Sequence, residues 1–168
     1  ATKQDIGLVV DQTMNSTIGL NLLLSVPLFI LTANVMNAVT ISDRLWIAGN
    51  ALVGRLRGGH GHVTVLMNLV MSSMTGSAVS DVAGAGTVAV RMMRTQGGYP
   101  GGLACAIAAS ASLLGPLIPP SIPMVLYALL SGASIGALFV AGIIPGIIVG
   151  FSISLWIYVV AGKRNLPR

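Results

Sequence analysis

Acidic, cysteine and aromatic side chains are all scarce in this sequence. Its 168 residues include four acidic residues, none of them Glu, a single cysteine, Cys105, and 5% aromatic residues; only 8% of the residues are charged. Because soluble domains carry charge on about a quarter of their residues, this composition excludes an ordinary water-soluble domain. One cysteine excludes an internal disulfide and a cysteine metal site, so we interpret Cys105 as a small packing residue.

The residue types that enzymes need are not arranged for catalysis. His60 and His62 flank a single glycine, a spacing too short for a zinc pair on a helix, and we interpret both as solvated loop residues. Asp81 is the one carboxylate of the apolar region, and one carboxylate is too few for a divalent metal enzyme. No Ser-His-Asp or paired-carboxylate pattern is present. The sequence therefore predicts a protein that is not an enzyme.

Long apolar runs are what the sequence has instead. Hydrophobic residues make up 54% of the chain, and residues 95–162 contain no charged side chain. A bilayer span needs about 20 apolar residues, so this stretch holds at least two spans. The net charge of +5 comes from short basic clusters between apolar runs, which is typical of cytoplasmic loops rather than of nucleic-acid binding. We expect an all-α, multi-pass integral membrane protein.

The first 59 residues predict a scaffold region with two different helices. Residues 18–39 are apolar and predict a transmembrane span that bends at Pro27. Residues 41–56 mix charged and apolar side chains, which favours an amphipathic arm helix on the membrane surface with Trp46 at headgroup depth.

Residues 63–90 predict a re-entrant helical hairpin. They form a 28-residue apolar stretch with one charge, Asp81, and as one straight helix would be about 42 Å long, more than the roughly 30 Å hydrocarbon core. Residues 75–81 supply a glycine for the reversal and hydroxyl groups for a helix cap. A hairpin also places all the basic clusters after residue 43 on one side of the membrane.

Residues 95–162 then cross the membrane and return, with the two helices separated near residues 131–134. The outward helix begins around Tyr99 and is interrupted at residues 115–123, where consecutive prolines remove amide donors. The return helix, residues 135–160, carries glycines at four-residue spacing, a pattern typical of close helix packing. The predicted segments are thus 1–59 (scaffold span and arm), 60–96 (hairpin), 97–133 (broken transmembrane helix) and 134–168 (return helix and cytoplasmic tail).

Two interrupted elements at mid-membrane depth indicate a transporter binding site, because broken helix ends expose carbonyls to cations and amides to anions. A carboxylate at this depth costs about 2.5–3.5 kcal/mol on insertion scales and needs a partner. A hard monovalent cation binds oxygen ligands. A role for Asp81 as the helix cap of the second hairpin arm remains the alternative. The candidate ligands are Thr75, Gly76, Ser77, Asp81, Leu117, Ile118 and Ser121.

Long motifs after the hairpin carry a family resemblance. Residues 72–146, which contain GPLIPPSIPMVLY and SIGALFVAGIIPG, resemble the large membrane (M) subunit of TRAP transporters, and residues 25–59 resemble its span and arm helix. This resemblance implies a sodium-driven elevator transporter built from two inverted repeats, each with a hairpin and a broken helix. The stretch TGSAVSD at residues 75–81 is similar to the family's SGSxVAD, which implies that Ser77, Asp81 and Ser121 line a sodium site.

The resemblance also implies the setting in which the protein works. The expected function is uptake of small organic acids, such as dicarboxylates, sialic acids or sugar acids, across the bacterial inner membrane. Na⁺ is the coupling ion, and no other cofactor or metal is expected. The expected partners are a small membrane (Q) subunit, a periplasmic solute-binding protein (P subunit), the remaining half of the M subunit and the lipid bilayer, with no nucleic acid. Because the chain corresponds to the first repeat only, a non-transporting scaffold or assembly fragment is the alternative.

Overall fold

The computed structural model describes residues 27, 28, 31, 35 and 41–164, and every regular element in residues 41–164 is a helix. The predicted first span, residues 18–39, lies outside this part of the chain except for four helical positions. The elements in chain order are α1 (Ile41–Val53), α2 (Gly59–Thr75), α3 (Ala78–Asp81), a π-helical turn (Val82–Gly86), α4 (Thr87–Thr95), α5 (Gly101–Ala111), a 3₁₀ turn (Ser112–Leu114), α6 (Ile122–Ser131) and α7 (Ile135–Lys163).

Helices α2 to α4 form a hairpin. Helix α2 ends at Gly76, which adopts a left-handed conformation with φ +61° and whose amide donates to the Ser72 carbonyl. Ser77 then starts the second arm, because its hydroxyl accepts the Ser80 amide at 3.5 Å. The chain reversal therefore lies within the predicted turn, where glycine permits the left-handed backbone.

The first arm begins earlier than predicted, and the two histidines belong to it. Helix α2 starts at Gly59, so His60 and His62 lie in its first turn. The His60 ring is 9% exposed and packs between Trp46 and Tyr99, at centroid distances of 5.8 and 6.4 Å. The interpretation of His60 and His62 as solvated loop residues is therefore wrong, because the arm helix packs over this end of the hairpin.

Helix α1 packs against the base of the hairpin. Trp46 is 2% exposed, and its indole Nε1 donates to Gln96 Oε1 at 3.3 Å. Protein side chains therefore cover this ring, and its placement at headgroup depth stays a prediction. The outer side of the helix keeps Ile47 and Leu52 exposed, as an amphipathic helix at an apolar surface would.

The outward helix is broken as the prolines predict. Helix α5 and its 3₁₀ extension end at Leu114, and α6 begins only at Ile122, after a segment that contains a cis Pro119–Pro120 bond. Ser121 caps α6, since its hydroxyl accepts the Met124 amide at 3.3 Å. The hydroxyl also donates to the Pro116 carbonyl at 2.7 Å, which fixes the segment between the two helices. We call residues 115–121 the break.

Helix α7 returns alongside the break. Among the described residues, it is the one helix long and apolar enough to cross a bilayer by length and composition. Gly142 and Gly146 are buried. A Cβ added to Gly142 would lie 2.7 Å from the Leu117 carbonyl oxygen, and one added to Gly146 would lie 3.0 Å from Ile118 Cγ1. The glycines therefore let the backbone of α7 approach the break directly.

The core lies between the hairpin and α5 and is built from small and flexible side chains. Helix α5 turns Ala104, Ile107, Ala108 and Ala111 inward, at the spacing expected for one helical face. Cys105 lies on the other face and is exposed, so its interpretation as a packing residue is wrong. The hairpin contributes buried alanines and the fully buried methionines Met67, Met71 and Met93.

Candidate functional site

The tip of the hairpin contacts the break through backbone atoms. The Ile122 amide donates to the Gly76 carbonyl oxygen at 3.2 Å. A Cβ on Gly76 would lie 2.5 Å from the Pro120 carbonyl oxygen, so no side chain fits between the two segments. The sequence-predicted interruptions are therefore brought together in space.

Asp81 is buried directly behind this contact. Its side chain is 0% exposed. Thr75 Oγ1 donates to Asp81 Oδ1 at 2.5 Å, and Ser72 Oγ donates to Oδ2 at 3.3 Å. Both hydroxyls come from the end of α2, so the carboxylate ties the second arm of the hairpin to the first. A Cβ on Gly115 would lie 2.7 Å from Oδ2, which places the carboxylate against the start of the break.

The helix-cap alternative for Asp81 is wrong. Ser77 caps the second arm, and the Asp81 side chain makes no cap hydrogen bond. Asp81 lies four residues into this arm, beyond the free amides of its first turn.

Only neutral groups compensate the Asp81 charge within the described part of the chain. Its hydrogen-bond donors are the Ser72 and Thr75 hydroxyls, and the ion pair found in this part joins Arg91 to Asp43 instead. A buried carboxylate without a countercharge has a high desolvation cost. This environment therefore suits a cation, which would supply the missing charge.

The other predicted ligands have different surroundings. The Ser77 hydroxyl caps α3, and the Ser121 hydroxyl caps α6. Ser121 is 0% exposed and lies next to the contact between the hairpin tip and the break. The Leu117 carbonyl and the Ile118 side chain lie against the glycines of α7. Thr75, Gly76 and Asp81 thus lie together at the centre of the candidate site. Direct ligand roles stay predictions for these three residues and for Ser77, Leu117, Ile118 and Ser121.

Two residues of the site were missed from the sequence. Ser72 contacts the carboxylate, and Gly115 leaves the space into which Oδ2 projects. Helical periodicity could have found Ser72, because it lies three residues before Thr75 and therefore on the same face of α2. Nothing in the local sequence singles out Gly115.

A π-helical turn follows Asp81 immediately. It spans Val82–Gly86, and the Thr87 hydroxyl donates to the carbonyls of Ala83 at 3.2 Å and Gly84 at 2.8 Å. The wider turn displaces carbonyls from the regular helical ladder, and two of them share the one proton of the Thr87 hydroxyl. Such turns occur frequently at functional sites in helices.

The substitution Gly115→Ala is expected to separate the break from the carboxylate. Its Cβ would lie 2.7 Å from Asp81 Oδ2 and 3.0 Å from the Ala78 amide nitrogen, too close for either to remain in place. Overpacking of this kind costs about 1–3 kcal/mol of stability. Thermal unfolding of the purified complete permease should therefore show a lower midpoint. Gly102→Ala is the control, since nothing lies within 4 Å of its Cβ; equal midpoints for the two variants would contradict the predicted clash.

Comparisons with known proteins agree on one family. The sequence profile described as "Tripartite ATP-independent periplasmic transporter, DctM component" matches residues 2–168. The chain is 39% identical over 87 residues to the sialic acid TRAP transporter large permease protein SiaM of Vibrio cholerae, covering 50% of this chain and 20% of the relative. It is 40% identical over 91 residues to the 2,3-diketo-L-gulonate TRAP transporter large permease protein YiaN of Escherichia coli, covering 54% and 21%.

A further relative has a different named substrate. The C4-dicarboxylate TRAP transporter large permease protein DctM of Pseudomonas aeruginosa is 39% identical over 89 residues, covering 53% of this chain and 21% of the relative. The aligned segments thus span only 20% to 21% of the length of these three relatives.

Proposed function

Since the chain belongs to the DctM component family of the tripartite ATP-independent periplasmic transporters, we propose that it forms part of a permease that takes up small organic acids together with sodium. The family makes the chain part of an all-α membrane transporter and not of an enzyme. The sodium coupling, the mechanism and the substrate are the proposal.

One observation carries the sodium coupling: the position of Asp81. The carboxylate is fully buried, receives only hydroxyl donors from the described residues, and lies where the hairpin tip meets the break. A cation bound there would neutralise the charge and could use oxygen ligands from both elements. Sodium, a hard ion, fits a site of carboxylate, hydroxyl and carbonyl oxygens by the same preference that directs hard divalent ions to oxygen.

The proposed movement is of the elevator type. The hairpin and α5 share one packed core, which Ile118 of the break contacts and which also includes Trp46 of α1 and Ile157 of α7. We propose that this packed unit moves as a whole. Among the described residues, one backbone hydrogen bond joins the tip to the end of the break, from the amide of Ile122, the first residue of α6, to the Gly76 carbonyl. Sodium bound beside it would hold the tip closed, and so link ion occupancy to movement of the unit.

We infer the substrate class and the partners from the relatives. Their names refer to sialic acid, 2,3-diketo-L-gulonate and C4-dicarboxylates. We propose a small carboxylate-bearing solute for this chain as well. A tripartite system implies a substrate-binding protein and a small membrane subunit. We propose that the former is periplasmic, that the latter joins this chain in the bacterial inner membrane, and that further M-subunit sequence completes the permease.

The test is uptake by proteoliposomes. The complete permease that carries this chain would be reconstituted with its small subunit and supplied with its binding protein and labelled sialic acid, diketogulonate or C4-dicarboxylate. We expect accumulation of one acid under an inward sodium gradient and none under an equal potassium gradient. Equal uptake under both gradients would refute sodium coupling. No uptake of any of these acids under either gradient would contradict the proposed substrate class.

A further inference from the structure

Helix α2 contains a buried oxygen without a hydrogen-bond donor. Asn68 is 0% exposed, and its Nδ2 donates to the Thr64 carbonyl at 2.9 Å. Within the described part of the chain, its Oδ1 has no partner. Because the amide donor is fixed by Thr64, the free atom is the oxygen and not the nitrogen. A buried polar atom in this state requires an explanation.

Asn68 lies on the face of α2 that carries the site. It precedes Ser72 by four residues and Thr75 by seven, so the three side chains lie on one face of the helix. Asn68 is thus about 6 Å further along the helix axis from the tip than Ser72. On the second arm of the hairpin, Ala85 of the π-helical turn lies four residues beyond Asp81 and is fully buried.

The neighbouring hydroxyl groups cannot satisfy this oxygen because their protons are already used. Ser72 and Thr75 donate to Asp81, and Thr64 donates to the His60 carbonyl at 2.9 Å. Each hydroxyl therefore offers only lone pairs to the interior. A row of oxygens with no free donor attracts a species that accepts electron pairs, and a cation is the strongest such species.

We infer that the cation-binding region extends one helical turn beneath Asp81, and that Asn68 Oδ1 is an oxygen ligand for a monovalent cation at this inner position. The inference rests on the proposed sodium coupling and deepens it. The inner position joins a neutral amide oxygen to the lone pairs of Ser72, within range of the Asp81 charge. It is distinct from the contact between the tip and the break.

The experiment measures how sodium stabilises the protein against heat. Purified complete permease would be unfolded at increasing sodium chloride concentrations, with choline chloride holding the ionic strength constant at pH 8. Asn68→Leu keeps the approximate shape of the side chain and removes the oxygen; Asn68→Asp keeps an oxygen and adds a charge. Asn50→Leu, at an exposed position of α1, is the matched control.

We expect Asn68→Leu to raise the sodium concentration for half-maximal stabilisation by about tenfold, the lower end of what removal of a group supporting a metal site causes. Asn68→Asp should lower it, and Asn50→Leu should leave it unchanged. If Asn68→Leu does not fold, Asn68→Asp alone tests the inference, through the direction in which it shifts the half-maximal sodium concentration.

The unmodified permease and the Asn68 variants test different claims. If the unmodified permease shows no sodium response, the proposed sodium coupling itself is contradicted. If it responds but the Asn68 variants keep its half-maximal sodium concentration, only the inference fails, and Asn68 Oδ1 is not a sodium ligand.

Discussion

Asp81→Asn is expected to abolish sodium-driven uptake by the complete permease while the protein still inserts into the membrane. The substitution keeps the shape of the side chain but removes its charge, and the new amide nitrogen must face one of the Ser72 and Thr75 hydroxyls that now donate to the carboxylate. Interactions with a charged partner contribute about 1.5–3 kcal/mol, equivalent to about 10- to 150-fold in sodium affinity.

Asp43→Asn is the matched control for this experiment. Asp43 pairs with Arg91 at 3.5 Å, and the two side chains are 40% and 64% exposed. An exposed pair of this kind contributes about 0–1 kcal/mol, so uptake should change little. The measurement is the initial rate of labelled-acid uptake at several sodium concentrations, normalised to inserted protein. Normal sodium-dependent uptake by Asp81→Asn would exclude the carboxylate as an ion ligand.

Gly76→Ala is expected to prevent the hairpin tip from closing on the break. Gly76 has φ +61°, and its added Cβ would lie 2.5 Å from the Pro120 carbonyl oxygen and 3.2 Å from the Ile122 nitrogen. The left-handed conformation alone costs an alanine about 1–2 kcal/mol. The backbone clash adds about 1–3 kcal/mol and cannot be relieved by a side-chain rotation.

Gly132→Ala separates the two contributions. Gly132 also has a left-handed backbone, with φ +70°, but nothing lies within 4 Å of its added Cβ. The Gly132→Ala variant should therefore show the cost of a left-handed alanine without the clash, and it should retain uptake. We expect Gly76→Ala to lose both uptake and sodium stabilisation. Identical uptake by the two variants would show that the tip and the break need not touch during transport.

The turn and the break could be predicted because both depend on local backbone chemistry. Gly76 permits the reversal and Ser77 caps the second arm, whatever surrounds them. The prolines of the break exclude a regular helix in the same local way. A short stretch of sequence is therefore enough to locate each interruption.

The environments of single side chains could not be predicted, because neighbours distant in sequence decide them. Trp46 is buried by Gln96, fifty residues away, and His60 by Tyr99. The same limit applies within the site. Asp81 stood out as a lone charge, whereas Asn68 becomes notable only when its oxygen proves to be buried without a donor.

The glycines of α7 have a mechanical consequence. Because the break and α7 touch backbone to backbone at Gly142, the two cannot slide past each other without losing that fit. A displacement of the site would drag α7 along, together with its exposed Phe151 and Trp156. In the proposed elevator movement, α7 would therefore belong to the part of the protein that moves.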